Sequence, residues 1–560
     1  MTLTEEPLIK QPKEAKELHE ARLSQSAAVV FDAHAYVDDF NSVVVDAYRA
    51  GTADAGLPAD VGVARSVIPP GTAATRDFSG LAPQIPEFIS DKCVGCMTCV
   101  NVCPDTAILG VAQPPSLLEP MIGSFVAASA NGVSPDAVEA GVRSHFATTT
   151  KYATVPEKRG NEPAQFGIFV NPTHCKGCAE CVEVCHELGY DALRMVDKVA
   201  EEPSGESTVD RYARDYRFFR ALPPTPEVYR NDKALADLML GEHAHGYVGG
   251  AGSCSGCGEA TALRMLVAAT RQVHGPESMG IVAATGCNTV FASAYPYNPY
   301  LVPWTNSLFE NGPADALGVR ARWDQAGHTD RKLWVVGGDG AMYDIGFQSL
   351  SRLVASGADV NVLVLDTQVY SNTGGQASTA SFGGQVTKLS AYGKSLHGRP
   401  EHRKELARIL MAHGEVYVAQ TTPAHINHFY RAIMEANEYR GPAVVVAYTP
   451  CMPEHGIADD ASTRQAKLAV DSRAFPLFTY DPRRGPSMAE RLSLVGNPKP
   501  KDDWETLPDG SAVDFIAFAR TEGRFAPHFA ADGSPSAELE STQADRLSNW
   551  RLLQELAGTR

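Results

Sequence analysis

No uninterrupted apolar run reaches about eighteen residues, the length a helix needs to cross a bilayer, so no membrane span is expected. The opening stretch, MTLTEEPLIKQPKEAKELHEARL, lacks the apolar core of a secretory signal, and a cytoplasmic location is the expectation. Positive charge is also scarce: 49 Lys and Arg against 66 Asp and Glu leave a net charge of −17. Binding a phosphate backbone requires a basic footprint, so nucleic acid is not an expected partner. Cysteine is not scarce. In a reducing compartment, 12 cysteines point to metal or cofactor ligation rather than disulfides. They fall into three sets of four, with none left over.

Cys93, Cys96, Cys99 and Cys103 form a C-x2-C-x2-C-x3-C run closed by Pro104. Cys175, Cys178, Cys181 and Cys185 repeat the spacing, with His186 in place of the proline. Three thiolates on a tight loop can cap three irons of one cube, while the fourth cysteine points past the turn to the other cube. The expected ligand sets are therefore Cys93, Cys96 and Cys99 with Cys185, and Cys175, Cys178 and Cys181 with Cys103. Zinc, the alternative, needs only two C-x2-C-type pairs. The remaining cysteines are scattered: Cys254 and Cys257 on a Gly-rich loop before a helix, Cys287 and Cys451 each just after an apolar run. Four thiolates gathered there would take either zinc or a third cubane.

Residues 1–85 read as an N-terminal extension and lead-in, with a candidate helix over 31–50. Residues 86–200 read as a ferredoxin-like α+β domain with two [4Fe-4S] clusters, interrupted by an insertion with a helix over 134–145. A polar linker over 201–232 precedes an α/β doubly wound domain over 233–475, and 476–560 is a C-terminal extension with a helical end. Within 233–475, MGIVAAT, KLWVVGG, VNVLVLDT and AVVVAYTP read as buried parallel strands, with helices over 260–271 and 401–413 between them. Ligands of such sheets sit beyond the carboxyl ends of the strands.

WVVGGDGAMYDIG leaves one of those strands and enters a helix, which makes Gly338, Asp339, Gly340 and Ala341 a phosphate loop. The glycines admit a diphosphate close to the backbone, and Asp339 offers a hard oxygen to Mg²⁺. After the next strand, in DTQVYSNTGGQ, Thr367 offers a side-chain oxygen, Val369 a backbone carbonyl, and Asn372 faces the cleft. A GDG loop with those donors, and with Gly374-Gly375 beyond them, predicts bound thiamine diphosphate. The glycines of 250–256 lack the preceding strand that a dinucleotide loop requires.

The segments AGSCSGCGEA, AATGCNTV, WTNSLFEN, GGDGAMYDIG, DTQVYSNTGGQ and AYTPCMPEHG occur in one order, behind a lead-in PPGTAATRDF. Over roughly residues 65–530 this series resembles the 2-oxoacid:ferredoxin oxidoreductases, and among them the pyruvate:ferredoxin oxidoreductases. The resemblance implies that Cys254, Cys257, Cys287 and Cys451 hold a proximal [4Fe-4S] cluster. It implies that Asp339, Thr367 and the Val369 carbonyl bind Mg²⁺, and that Glu259, Cys287 and Asn372 contact the thiamine cofactor or the substrate. The implied reaction is oxidative decarboxylation of a 2-oxoacid, pyruvate first, with coenzyme A taking the acyl group. Electrons would pass through three clusters to a ferredoxin or flavodoxin.

Single-chain members of that family begin with large domains supplying the other half of the thiamine site. The expectation is therefore a beta-type subunit, the iron–sulfur and diphosphate half of a split enzyme. A partner subunit would carry the aminopyrimidine half-site and the coenzyme A domain, in a heterotetramer. The competing readings are 2-oxoglutarate or another 2-oxoacid as substrate, an electron-transfer subunit with a non-catalytic thiamine fold, and a non-oxidative thiamine enzyme. The last has no use for so many cluster cysteines.

Overall fold

The computed structural model describes residues 42, 46–52 and 70–560, apart from 130–132, 232, 293, 295–296 and 391–397. It divides into two units, 1–59 and 60–560. The described part of the first holds one short helix, Asp46–Arg49. The rest of the helix expected over 31–50 lies outside the described residues, save Ser42 and Ala50. Among the described residues, no helix is long and apolar enough to cross a membrane.

In the second unit the cysteine runs occupy two like halves. Strand β1 (Gln84–Phe88) leads into the first run, the short helix Thr98–Val102 and β2 (Ile108–Gln113). After the insertion, β3 (Phe146–Ala147) and β4 (Gln165–Val170) lead into the second run, the helix Glu180–Glu187 and β5 (Leu193–Asp197). The strands that flank the cysteine runs pair between halves rather than within them. β1 is antiparallel to β5 and β2 is antiparallel to β4, with β3 on the far side of β4. The insertion helix begins where Ser-Pro marks it: Ser134 caps Pro135–Ser144 by accepting the Ala137 N–H at 3.2 Å, and Val138 and Val142 turn inward.

The larger sheet contains β6 (Met279–Ala284), β7 (Trp304–Ser307), β8 (Lys332–Gly338), β9 (Asn361–Asp366), β10 (Tyr417–Thr421), β11 (Ala443–Tyr448), β12 (Phe478–Tyr480) and β13 (Leu492–Ser493). Its order is β7-β6-β8-β9-β11-β10-β12-β13, parallel from β7 to β10 and antiparallel at β12 and β13. Alternate residues of one strand enter two different cores: Leu363 and Leu365 join one, Val362 and Val364 the other. A parallel sheet covered on both faces reads as continuous apolar sequence, which is why β6, β8, β9 and β11 stand out. Past residue 475 the sheet continues through β12 and β13, and Phe515, Phe518 and Phe525 pack around Phe382.

The helix read at 260–271 extends over Gly258–His274 and is buried along every residue through Arg271. The one expected over 401–413 is confined to Leu406–Met411. Its first residues stay non-helical, where Arg403 pairs with Asp366 and Glu405 receives Arg546.

Candidate functional site

Because β6, β8, β9 and β11 are neighbours, the loops that leave their carboxyl ends meet at one rim. A cavity of about 260 Å³ opens there. Its walls are Thr285, Gly286 and Cys287 after β6, Gly338, Asp339 and Gly340 after β8, and Thr367, Val369, Tyr370, Ser371, Asn372 and Thr373 after β9. Glu259, Phe309 and Ile345 complete them. Ala341 is buried behind the loop and is not part of the lining.

Asp339 is 2% exposed. It accepts the Thr367 N–H at 3.0 Å and the Ser378 hydroxyl at 2.9 Å. Burial, and then the neighbouring Asp366 carboxylate, hold its carboxyl well above the usual range. Arg403 pairs with Asp366 and offsets part of that repulsion. A site with surplus buried negative charge is suited to a cation. The Thr367 hydroxyl and the Val369 carbonyl lie 2.9 Å apart. That separation is a hydrogen bond from the hydroxyl to the carbonyl, which holds two hard oxygens side by side at the rim. Hard oxygen donors of this kind are the chemistry that Mg²⁺ takes.

Glu259 starts the buried helix Gly258–His274, and one of its carboxylate oxygens has no hydrogen-bond partner. Burial pushes its carboxyl up to about 8, against a lowering hydrogen bond from the Asn288 backbone. An unpartnered buried acid on a cavity wall calls for a polar ligand. Asn372, by contrast, stands exposed at the mouth.

Cys254, Cys257, Cys287 and Cys451 are brought together beside this cavity, each within electrostatic reach of the other three. Two chain features allow it. Gly256, with φ of +70°, lies so close to the Cys451 loop that a Cβ would stand 2.0 Å from the Asp459 carbonyl. His455 accepts the Cys451 N–H at Nδ1 (3.5 Å) and donates from Nε2 to the Thr367 carbonyl at 2.7 Å, tying this set to the β9 loop. Burial keeps that imidazole neutral, as the double role requires.

The crossed strands gather the other two sets. Cys93, Cys96, Cys99 and Cys185 surround one small cavity. Cys103 lies with Cys175, Cys178 and Cys181. The two loops share one backbone course, with Gly95 and Met97 at φ of +74° and +66°, and Gly177 and Ala179 at +68° and +66°. A non-glycine residue costs roughly 1–2 kcal/mol in that region, so Met97 and Ala179 mark a turn that the loop requires. Backbone N–H groups of Gly95, Ala107 and Ala192 donate to the sulfurs of Cys93, Cys103 and Cys185 at 3.3–3.4 Å. Burial and the neighbouring sulfurs push the Cys93 thiol up to about 11 and Cys175 to about 12, so these thiols stay neutral without a cation to hold them as thiolates.

All twelve thiols are free of disulfides. Among the described residues no three His, Cys, Asp or Glu side chains close on a single ion. A cubane, with one thiolate per iron corner, spreads its sulfurs wider than a single zinc does. Four converging thiols on such loops fit that group in each set.

Thr285, Phe309, Ile345, Tyr370, Ser371 and Thr373 line the cavity without having been singled out in the sequence. Thr285, Tyr370, Ser371 and Thr373 lie within two residues of a singled-out position, Phe309 falls in the WTNSLFEN segment and Ile345 in GGDGAMYDIG, and no spacing rule marks them.

Residues 284–447 match the family model of the thiamine pyrophosphate enzyme C-terminal TPP binding domain, and residues 86–109 that of a 4Fe-4S binding domain. The chain is 30% identical to the "Probable pyruvate-flavodoxin oxidoreductase" of Escherichia coli (strain K12), across 84% of this chain and 42% of that protein. It is 29% identical to the pyruvate-flavodoxin oxidoreductase of Rhodospirillum rubrum, across 85% and 42%, and 30% identical to the pyruvate:ferredoxin oxidoreductase of Moorella thermoacetica, across 76% and 39%. It thus spans about two fifths of the length of the curated relatives it matches. Over most of its own length, the chain is a homologue of the pyruvate-flavodoxin and pyruvate:ferredoxin oxidoreductases, with a 4Fe-4S binding segment followed by a TPP-binding domain.

Proposed function

We propose that this chain is the iron–sulfur and diphosphate-binding part of a 2-oxoacid oxidoreductase. It would decarboxylate pyruvate oxidatively with coenzyme A and pass the electrons to a ferredoxin or flavodoxin. The observation that carries this reading is the meeting, on one rim, of the Gly338–Gly340 loop, the Thr367–Val369 oxygen pair and the third cysteine set.

Thiamine diphosphate, when bound, supplies a carbon nucleophile and an electron sink. Asp339, Thr367 and the Val369 carbonyl would hold Mg²⁺ against its diphosphate, with the Gly338 and Gly340 backbone alongside. Glu259, kept protonated by burial near neutral pH, offers a proton to a polar group in the cavity. Asn372 at the mouth can orient an incoming carbonyl by donating from its amide. Phe309 and Ile345 give the cavity an apolar side, with Ile345 exposed at its mouth. Cys287 belongs both to the cavity wall and to the third set, so electrons leaving the cavity have a short path into that set. Three [4Fe-4S] clusters, held by the sets as grouped above, would carry them outward.

The relatives extend far beyond the part this chain matches. A partner chain supplying the aminopyrimidine half-site and the coenzyme A domain therefore belongs to the proposal, as does a heterotetramer in the cytoplasm. The test is anaerobic methyl-viologen reduction by the complex copurified with this chain, offered pyruvate, 2-oxoglutarate and other 2-oxoacids with coenzyme A. Coenzyme A-dependent reduction with pyruvate is expected. A complex loaded with iron and thiamine diphosphate that reduces viologen with none of them would sink the reading.

A further inference from the structure

Between the second and third cysteine sets lies a buried ion pair that the proposed chemistry leaves without a task. Lys176, next to Cys175, donates to Asp105 at 2.6 Å, to the Ser253 carbonyl at 2.7 Å and to the Ser253 hydroxyl at 3.0 Å. Every proton of the ammonium has an acceptor. Asp105 stands just beyond Cys103, and Ser253 directly precedes Cys254. One cation thus touches chain segments from both sets. The Lys176 and Asp105 side chains are 2% and 3% exposed, and the Phe78 ring lies 5.0 Å from the ammonium. The loop before Ser253 lies directly on the Cys103 turn: a Cβ on Gly249 would stand 2.2 Å from the Asp105 carbonyl.

Stability alone does not explain such a pair, because desolvating two charges commonly cancels their attraction, and apolar residues of like volume serve as well. What the pair supplies is a fixed contact between two loops and two fixed charges. Asp105 acts electrostatically on both Cys175 and Cys178.

We propose that Lys176 and Asp105 are positioning residues for electron transfer, which lock the loop of the third set onto the second and set, by their opposite charges, the reduction potential of the cluster held there. The inference rests on the reading that both sets hold [4Fe-4S] clusters. In the step concerned, one electron leaves the third-set cluster, which is oxidised, and reduces the second-set cluster; no bond is made or broken. Net charge and surroundings tune cluster potentials, and a charge in a dry interior is weakly screened. Removing the cation makes the arriving electron less welcome, and removing the anion makes it more so.

The experiment is an EPR-monitored redox titration of the assembled, iron-analysed complex carrying Lys176→Met, Asp105→Asn, both together, or Lys176→Arg. The Met variant is expected to lower the second-set potential and the Asn variant to raise it. Each shift should change the electron-sharing equilibrium between the two clusters at least tenfold, about 59 mV for one electron. The double variant and Lys176→Arg should lie near the wild type. A merely structural brace would move both single variants in one direction or neither, and either result overturns the proposal. If Lys176→Met loads less iron, Asp105→Asn carries the test, and an unshifted or lowered potential with full iron overturns it. Wild-type complex without iron in one of these sets would overturn the cluster reading itself, a failure visible in iron analysis before any titration.

Discussion

Arg264 donates to the carbonyl of Cys103 at 3.1 Å, from a helix that begins immediately after Cys257. The same guanidinium donates to the carbonyls of Val100 and Asn101 and to the Thr106 hydroxyl. One buried side chain, about two turns along that helix, therefore binds the segment between the first two cysteine sets to the domain that holds the third.

Replacing Arg264 by Met should leave those carbonyls without their donor. A buried polar group left unpaired costs about 1–3 kcal/mol, so a loss of roughly 3 kcal/mol or more is expected. Denaturant unfolding of the loaded protein measures it, together with iron content. An unchanged midpoint with full iron would show that the contact is dispensable.

Chemical analysis of anaerobically purified protein should find about twelve irons and about twelve sulfides per chain, from three cubanes. A value near eight, with stoichiometric zinc, would assign zinc to Cys254, Cys257, Cys287 and Cys451.

Asp339→Ala removes the carboxylate beside the Gly338–Gly340 backbone while leaving every cysteine in place. Calorimetric binding of thiamine diphosphate with Mg²⁺ should fall by two orders of magnitude or more (~3 kcal/mol for a charge-assisted contact) with iron unchanged. Retained binding and turnover would remove the GDG loop from the site.

Stability should decline on mild acidification. His245 is held down to about 4, by burial first and then by Arg264, Arg220 and Arg271. His425 and His428 are held to about 4 as well, by burial and then by neighbouring positive groups. In the unfolded chain these imidazoles titrate near ~6.5. Below that pH the unfolded state takes up protons that the folded state refuses, so the stability present above about 6.5 drains away toward pH 4. Unfolding midpoints measured from pH 7 to 5 should fall, and His245→Asn should flatten the slope. An identical slope in that variant would exclude His245 as a contributor.

The sequence made legible whatever is written in local pattern. Four parallel strands stood out because burial on both faces leaves no polar alternation, and the exchanged fourth cysteines followed from the spacing of the runs. β7 did not stand out: Thr305 and Asn306 face outward on an edge strand, so nothing apolar announces it. β10 is five residues long and carries Gln420, whose amide is satisfied by the distant Pro476 carbonyl. The tail reads as an extension because its aromatic residues find their partner, Phe382, far away in the chain. Lys176 and Asp105 carry no local signal, because they stand 71 residues apart and meet only in the folded chain.

The crossing of β1 with β5 and β2 with β4 also imposes a timetable on synthesis. The second set is complete only once Cys181 has been made, the first waits for Cys185, and the third for Cys451. A ribosome-bound chain that has passed Cys103 thus carries four thiols, none of them in a complete set. Iron delivered before the second half emerges would find only partial sites, so the first two sets can load no earlier than Cys185, a third of the way along the chain, and the third no earlier than Cys451.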